Sequence, residues 1–368
     1  MLVLNEDQRM LMDSARGAIA AKAPIAMWRQ LRAEASPDGF SRAFWRECAE
    51  MGWAGVLVPQ EFGGIDFGVT GAGLIAREMA RTLAPSPFLS TAVLAASALR
   101  RGESAAAKAK WLPRIATGEA IVAFAIDEGP RPTDQTQAMA VKSGEDWLVT
   151  AAKHFVLDGH VADAFLVESR RFAGTPALFL VEAEAPGLTR DARTLVDNRR
   201  VASVALERVK LPPDAVLGGA SLIEATLDVG RAVVAAALCG VAEEAFARTM
   251  SYLKERKQFD RRIGSFQALQ HRAAKMHIDI ENSWSATLKA LQALDADAPS
   301  AAFDVAVAKA KASRTACEAT AECLQMHGGI GMTDEFDIGL FLKRARVDSV
   351  LFGDAAFHAD RIAMLLGY

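Results

Sequence analysis

The sequence predicts an α+β fold, mainly α, because the spacing of its apolar residues changes twice along the 368 residues. Helical spacing dominates residues 1–117, a period of two follows over residues 118–217, and helical spacing returns over residues 218–368. The Gly-Gly pair at 218–219 marks the second change. At about 150 residues per domain, the length favours two to three domains. We therefore predict a helical, a β and a second helical domain with these bounds.

The N-terminal segment is predicted to form several helices joined by turns. Phe44, Cys48 and Met51 occur at i, i+4 and i+7, which is typical of one buried helix face. Turn-forming residues interrupt the helical spacing, among them the Ser-Pro-Asp-Gly stretch at 36–39 and Pro113. We expect helices to end at these positions.

The central segment is predicted to be built of strands. Valine-rich stretches with a period of two are separated by turns such as the one at Gly144 and the Pro-Gly pair at 186–187. The predicted strands are residues 147–150, 155–157, 164–167, 178–181 and 201–209.

The C-terminal segment is predicted to be helical to its end. Two sets of apolar residues recur with helical spacing, and each set should line the buried face of one helix. The first set is Val234, Leu238, Val241 and Ala245, and the second is Val307, Ala310, Cys317, Ala321 and Leu324.

Composition excludes several classes of protein. Hydrophobic residues make up 51% and charged residues 24% of the chain, as in an ordinary globular protein. The net charge of −3 argues against a general binder of nucleic acid or of membrane surfaces. The four cysteines and six histidines show neither CxxC nor HExxH spacing, so no metal site is expected.

No targeting or membrane-spanning segment is expected. The first residues lack the basic and apolar regions of a signal peptide. The most apolar run, residues 229–241, is short and contains Arg231. A cytoplasmic location is therefore the expectation.

A basic turn after residue 255 is the first candidate binding feature. The Arg-Lys-Gln-Phe stretch at 256–259 precedes Ile-Gly-Ser-Phe-Gln at 263–267, which places cations and an amide around a glycine. This pattern is typical either of a solvated basic loop or of an anion site, because the fork of an arginine suits phosphate geometry.

A glycine-rich loop is the second candidate. The stretch Gln-Met-His-Gly-Gly-Ile-Gly at 325–331 ends an alanine-rich helical pattern with three glycines in four residues. One glycine would be an ordinary helix C-cap, whereas three leave the backbone accessible to a cofactor. The sequence alone leaves both interpretations open.

Taken together and in this order, these segments resemble the acyl-CoA dehydrogenase family over essentially the whole chain. The resemblance includes Glu-Met-Ala-Arg-Thr-Leu-Ala-Pro-Ser-Pro at 78–87 and Trp-Leu-Pro-Arg-Ile-Ala-Thr-Gly-Glu at 111–119. It implies a helical N-terminal domain, a central β-barrel-like domain and a C-terminal four-helix bundle. It also implies FAD, an acyl-CoA thioester substrate and an electron-transfer flavoprotein as electron acceptor.

The resemblance also implies roles for individual residues. In the family, each flavin is held partly by the β-domain of its own subunit and partly by the C-terminal bundle of a neighbour. Asp228 and Arg231 match positions on the substrate side. The positions matching the bundle's FAD contacts are Arg256, Gln258, Phe259, Gln267, Gln325, Gly328 and Gly329.

The sequence departs from the family at the catalytic base. Removing the α-proton of a thioester requires a carboxylate in a dry pocket, and the family uses a Glu at one of two places. Here Phe352 stands at the usual place, and Gly230, before Arg231, stands at the other. Asp354 is the remaining candidate base, and a carboxylate that caps the loop is the alternative interpretation.

The flavin contacts of the β-domain depart as well. The family reads Thr-Glu-Pro-x-x-Gly-Ser-Asp and later Trp-Ile-Thr. Here the first stretch is Ala-Ile-Asp-Glu-Gly-Pro at 125–130, and the second is His-Phe-Val-Leu-Asp at 154–158. The hydroxyls and the indole that would hold the isoalloxazine are missing.

The leading hypothesis is a subunit of an FAD-dependent acyl-CoA dehydrogenase that lends FAD contacts to a second, catalytic chain, as in an α2β2 assembly. The first rival is a self-sufficient homo-oligomeric dehydrogenase with Asp354 as base. The second rival is a non-redox assembly protein with the same fold. The acyl group stays open, with a preference for bulky thioesters derived from steroid side chains or rings.

Overall fold

Helices and strands follow one another in the predicted order. The computed structural model describes residues 3–129, 136–171 and 174–368. The first helices are α1 (Glu6–Lys22), α2 (Ile25–Ala33), α3 (Arg42–Glu50), α4 (Gly68–Arg81), α5 (Ala96–Arg101) and α6 (Ala105–Ala116), and a π-helix at Phe88–Ala95 precedes α5.

Helix α3 confirms the predicted apolar face, whereas α6 corrects a predicted break. Ser41 caps α3 by accepting the Phe44 N–H, and Phe44 and Cys48 are buried. Pro113 lies inside α6 rather than at its end. A proline removes only one backbone donor, and the helix continues for three further residues with Trp111, Leu112 and Ile115 buried.

One mixed sheet forms the centre of the strand region. The strands are β1 (Val122–Ala125), β2 (Met139–Ser143), β3 (Asp146–Leu157), β4 (Ala164–Arg170), β5 (Pro176–Glu182), β6 (Leu188–Thr194), β7 (Arg200–Leu211) and β8 (Val216–Gly219). Their order is β6-β7-β3-β2-β4-β5-β8, and β1 pairs in parallel with β4. The α+β, mainly α class is confirmed, but within the described residues β6 and β8 do not close a barrel.

Five helices complete the chain: α7 (Ala220–Glu255), α8 (Gln267–Asp295), α9 (Ala301–His327), α10 (Ile338–Val350) and α11 (Ala355–Leu365). Helix α9 packs against α8, α10 and α11. The first predicted face, on α7, is fully buried. The second is only half-buried, because α9 buries Val305, Ala312, Ala316 and Cys323 instead.

Helix α7 is long and apolar enough to cross a membrane when judged by length and composition alone. From the sequence, no apolar run was predicted to be long enough to span a membrane. This prediction was wrong with respect to length. However, 89% of the apolar window is buried inside the protein, which is typical of a core helix.

The chain groups into two compact units, each discontinuous in sequence. The C-terminal unit comprises the chain up to Met27, Val69–Ala84 and Arg231–Tyr368, and the β unit comprises Trp28–Gly68 and Pro85–Gly230. The three predicted domain ranges, 1–117, 118–217 and 218–368, remain a prediction.

Candidate functional site

The basic turn is an exposed hairpin whose two strands are connected by two residues. Strands β9 (Lys257–Gln258) and β10 (Arg261–Arg262) pair antiparallel, and the connecting Phe259 and Asp260 both have positive φ, 54° and 60°. Hairpins of this length favour positive φ at both turn positions, although a phenylalanine there is unusual. Phe259 is 85% exposed. The ring is therefore accessible to a ligand or a partner.

Side chains behind the turn hold it in place. The Arg261 guanidinium lies 3.9 Å from the centre of the Phe266 ring, and Phe259 meets the same ring edge-on at 6.2 Å. The Ile263 N–H donates to the carbonyl of Arg256 at 2.9 Å. Gln267, the first residue of α8, is exposed, as are Arg256 and Gln258.

The glycine loop follows α9, and its glycines have different structural roles. Gly328 has φ 64° at the end of the helix, so a side chain there would be strained. A Cβ on Gly331 would lie 2.9 Å from the Leu324 carbonyl, so this glycine is needed for packing. A Cβ on Gly328 or on Gly329 would meet nothing within 4 Å in this chain. The space above this pair is therefore available to a ligand or a partner.

Tyr252 brings the basic turn and the glycine loop together. Its ring stacks on His327 with centroids 4.4 Å apart, and its carbonyl accepts the Arg256 N–H at 2.9 Å. His327 Nδ1 lies 2.8 Å from the Cys323 carbonyl, and burial lowers the pKa of His327. A cavity of about 300 Å³ lies beside this stack, lined in part by Glu255 and Phe336. All seven predicted FAD-contact residues are exposed: three lie in the basic turn, one at the start of α8, and three at the end of α9 and in the glycine loop.

The predicted substrate-side residues are buried on α7. Asp228 and Arg231 lie one helical turn apart, and their exposed fractions are 8% and 3%. Arg231 Nε donates to the Phe352 carbonyl at 3.3 Å, and its guanidinium lies 5.8 Å from the Phe357 ring. Arg231 therefore holds the loop in which the family keeps its base.

A buried lysine that the sequence analysis missed holds the same loop. Lys309, on α9, is fully buried and donates three hydrogen bonds: to Ser313 Oγ at 3.0 Å, to the Ser349 carbonyl at 3.0 Å and to the Gly353 carbonyl at 2.9 Å. Burial lowers the pKa of Lys309 to about 7, although the charge of Asp348 opposes this shift. The sequence offered only two lysines within the alanine-rich stretch of α9, Lys309 and Lys311, and nothing in their neighbours marked Lys309 as the buried one.

Neither Phe352 nor Asp354 supplies a buried carboxylate in this loop. Phe352 is buried at φ 57°, so an aromatic ring stands where the family has its Glu. Asp354 is exposed and caps α11, because Oδ1 accepts the Phe357 N–H at 2.8 Å. This geometry agrees with the capping interpretation, and it gives Asp354 no dry pocket.

The first departing stretch of the β unit is anchored by a buried ion pair. Lys153, fully buried on β3, donates to the Ile126 carbonyl at 3.0 Å, to Glu128 Oε1 at 2.7 Å and to Thr136 Oγ1 at 2.9 Å. Burial alone would raise the pKa of Glu128, but hydrogen bonds from Lys153, Thr136 and Gln137 lower it to about 2. Pro130, the last residue of that stretch, lies outside the described residues.

Comparison with known proteins identifies the family. Two family models match: the acyl-CoA dehydrogenase N-terminal domain over residues 5–119 and the acyl-CoA dehydrogenase C-terminal domain over residues 218–367. Acyl-CoA dehydrogenase FadE12 of Mycobacterium tuberculosis is 31% identical over 323 residues, which cover 82% of each protein. The chain belongs to the acyl-CoA dehydrogenase family. It is thereby assigned to the oxidoreductases, as the resemblance implied.

Two solved structures, each named after a pair of proteins, share the fold. The steroid ACAD Tcur3481-Tcur3483 is 30% identical with a TM-score of 0.89, and the alignment covers 98% of each chain. The ChsE4-ChsE5 complex from Mycobacterium tuberculosis is 27% identical with a TM-score of 0.91, covering 100% of this chain and 98% of the other.

Acyl-CoA dehydrogenases depend on FAD, so the two halves of the flavin site are tested separately against this chain. The C-terminal unit fits, because it exposes an arginine, three glutamines and an aromatic ring, together with two glycines that have open space above them. The described part of the β unit does not fit. Asp127 stands where the family's Thr-Glu-Pro has a threonine, and the stretch that carries the family's indole has Phe155, 46% exposed and at φ 55°. The positions that match Gly-Ser-Asp, residues 132–134, lie outside the described residues.

Proposed function

We propose that this chain is the non-catalytic subunit of an FAD-dependent acyl-CoA dehydrogenase that introduces an α,β double bond into an acyl-CoA thioester. In this proposal, the chain lends its C-terminal unit to the FAD of a catalytic partner chain. The observation that carries the proposal is the contrast between two sites. The final loop has Phe352 and a helix-capping Asp354 in place of a base, whereas the surface around Gly328 and Arg256 is intact.

The proposed contacts follow from the chemistry of each side chain. Arg256 would bind the FAD diphosphate, since a guanidinium makes paired charge-assisted hydrogen bonds to phosphate oxygens. Gln258 and Gln325 would add amide donors, and the Phe259 ring would cover an apolar part of the cofactor. The backbone at Gly328 and Gly329 would approach it closely because no Cβ intervenes.

Catalysis would then be divided between the two chains. Bound FAD supplies the hydride acceptor. The partner would supply the carboxylate that removes the α-proton, because both places for that group are filled by Phe352 and Gly230 here. Asp228 and Arg231 would retain a structural role, since Arg231 holds the Phe352 carbonyl.

The assembly and the substrate class are supported by the names of the two structural relatives. Each names two proteins, and one is called a steroid ACAD. We therefore propose a hetero-oligomer, α2β2 in its simplest form, that acts on a bulky ring-derived or steroid-derived thioester in the cytoplasm. Electrons would pass from it to an electron-transfer flavoprotein.

The decisive experiment is to produce the chain alone and together with a second acyl-CoA dehydrogenase chain taken from a neighbouring gene of the same organism. We expect the chain alone to be colourless and inactive, and the pair to carry FAD and to oxidise CoA esters. Robust turnover by the isolated chain would instead support the self-sufficient rival. A stable pair without flavin would support the assembly protein.

A further inference from the structure

Hydrogen bonds and an ion pair hold residues 126–128 of the β unit in place. Lys153 holds the Ile126 carbonyl, and the Glu128 carboxylate accepts from Lys153, Thr136, the Gln137 N–H and the Ala138 N–H. Between these two anchors, the Asp127 carbonyl accepts the His154 N–H at 2.7 Å. Asp127 therefore cannot move away from the surface without breaking an anchored segment.

Asp127 occupies a position where the family has a hydroxyl. When Glu128 is placed on the Glu of Thr-Glu-Pro, Asp127 falls on the threonine. A hydroxyl both donates and accepts hydrogen bonds, whereas an ionised carboxylate only accepts. The carbonyl oxygens and N5 of oxidised flavin are acceptors, and reduced flavin carries a negative charge. A carboxylate cannot donate a hydrogen bond to those acceptors of oxidised flavin, and it repels the negative charge of reduced flavin.

Among the described residues, the carboxylates near Asp127 outnumber the cations. Three carboxylates, those of Asp127, Glu128 and Glu168, interact with the ammonium of Lys153, and within the described part of the chain Glu128 forms the ion pair with it, at 2.7 Å. Burial raises the pKa of Asp127 to about 6, against the opposing charge of Lys153, and burial also raises the pKa of Glu168. At neutral pH the described residues around Asp127 therefore carry more carboxylates than cations.

We propose that Asp127 is a specificity-determining residue that excludes FAD from the β unit of this chain. Since the Lys153 anchor is complete, the segment keeps its shape and rejects the cofactor by charge. The inference rests on the proposed function, because exclusion here would direct the flavin to the β unit of the partner chain.

The test uses the isolated full-length chain and titration with FAD, followed by flavin fluorescence. Asp127→Thr and Asp127→Asn remove the charge, and Asp191→Asn is the matched control, because it removes a charge on exposed strand β6. At pH 7.5 we expect both Asp127 variants to bind FAD at least fivefold more tightly than the wild type and the control.

The pH dependence supplies a second readout. Lowering the pH from 7.5 to 5.5 should tighten FAD binding by the wild type, because Asp127 becomes protonated, and should leave Asp127→Asn unaffected. Unchanged affinity in both variants, with circular dichroism like that of the wild type, would overturn the inference. The same holds if the variant and the wild type respond equally to pH. Neither readout needs the partner, so both remain informative if the subunit proposal fails.

Discussion

Lys309 should make the free energy of unfolding of the protein rise with pH. Its pKa is lowered to about 7 by burial, compared with about 10.5 in the unfolded chain. Between these values the unfolded chain binds more protons than the folded chain, so the free energy of unfolding rises with pH. From pH 7.5 to 9.0 this group should contribute about 2 kcal/mol, from roughly 1.4 kcal/mol per pH unit.

The change that exposes this contribution is Lys309→Met. It removes three hydrogen bonds and leaves the carbonyls of Ser349 and Gly353 without that donor. We expect a loss of about 2–4 kcal/mol at pH 9, since each buried group left unsatisfied costs roughly 1–3 kcal/mol. The rise in stability with pH should disappear in the variant.

Urea unfolding at pH 7.5, 8.25 and 9.0 measures both effects in the same protein. Lys311→Met is the matched control, two residues further along α9, where the lysine is only partly buried and pairs with Asp279 at 2.7 Å. The control should lose less than about 1 kcal/mol and should retain the pH dependence of the wild type. If Lys309→Met retained the same pH slope as the wild type, Lys309 would be protonated throughout this range and the reasoning would be wrong.

Three further predictions test the proposed site. Arg256→Ala should weaken FAD retention by the two-chain complex by roughly ten- to a hundredfold, from a lost charge-assisted contact of about 1.5–3 kcal/mol, and equal retention in equilibrium dialysis would refute the assignment. Gly329→Val should leave the isolated chain as stable as the wild type, because a Cβ meets nothing, yet lower the FAD content of the complex; full occupancy would reduce the loop to a helix cap. Asp354→Asn should retain the cap on α11 and leave turnover of the complex within a few-fold, whereas a loss of two to four powers of ten would identify Asp354 as the base.

The pattern of apolar residues predicted those elements that bury one face or both. The α7 face at Val234 to Ala245 and strand β7 were found because one side of each is largely apolar, and strands β4 and β5 were found as short apolar runs that are buried on both faces. Strand β6 was missed, because it is an edge strand with a polar sequence that is exposed along nearly its whole length. Strand β3 was divided into two, because register shifts near Thr150 and His154 break its alternation without ending the pairing with β7.

The candidate site likewise contains residues that short sequence motifs can identify and residues that they cannot. The predicted FAD-contact residues lie in two short motifs, and the resemblance of these motifs to the family identified them. Lys309 and the anchor at Lys153 were not identified, because each acts on backbone groups far away in sequence: Lys309 on Gly353, Lys153 on Ile126. Nothing in a lysine's immediate neighbours specifies which carbonyl it will reach after folding.

Restoring the family's base is therefore not a matter of one residue. Phe352→Glu would place a carboxylate in a buried loop whose carbonyls accept hydrogen bonds from Arg231 and Lys309. The charge of Arg231 would lower the pKa of the new Glu, while burial would raise it. The β unit would still present Asp127 in place of a hydroxyl. We expect no measurable dehydrogenation of CoA esters by isolated Phe352→Glu. Activity in that variant alone would show that this chain can complete a flavin site without a partner.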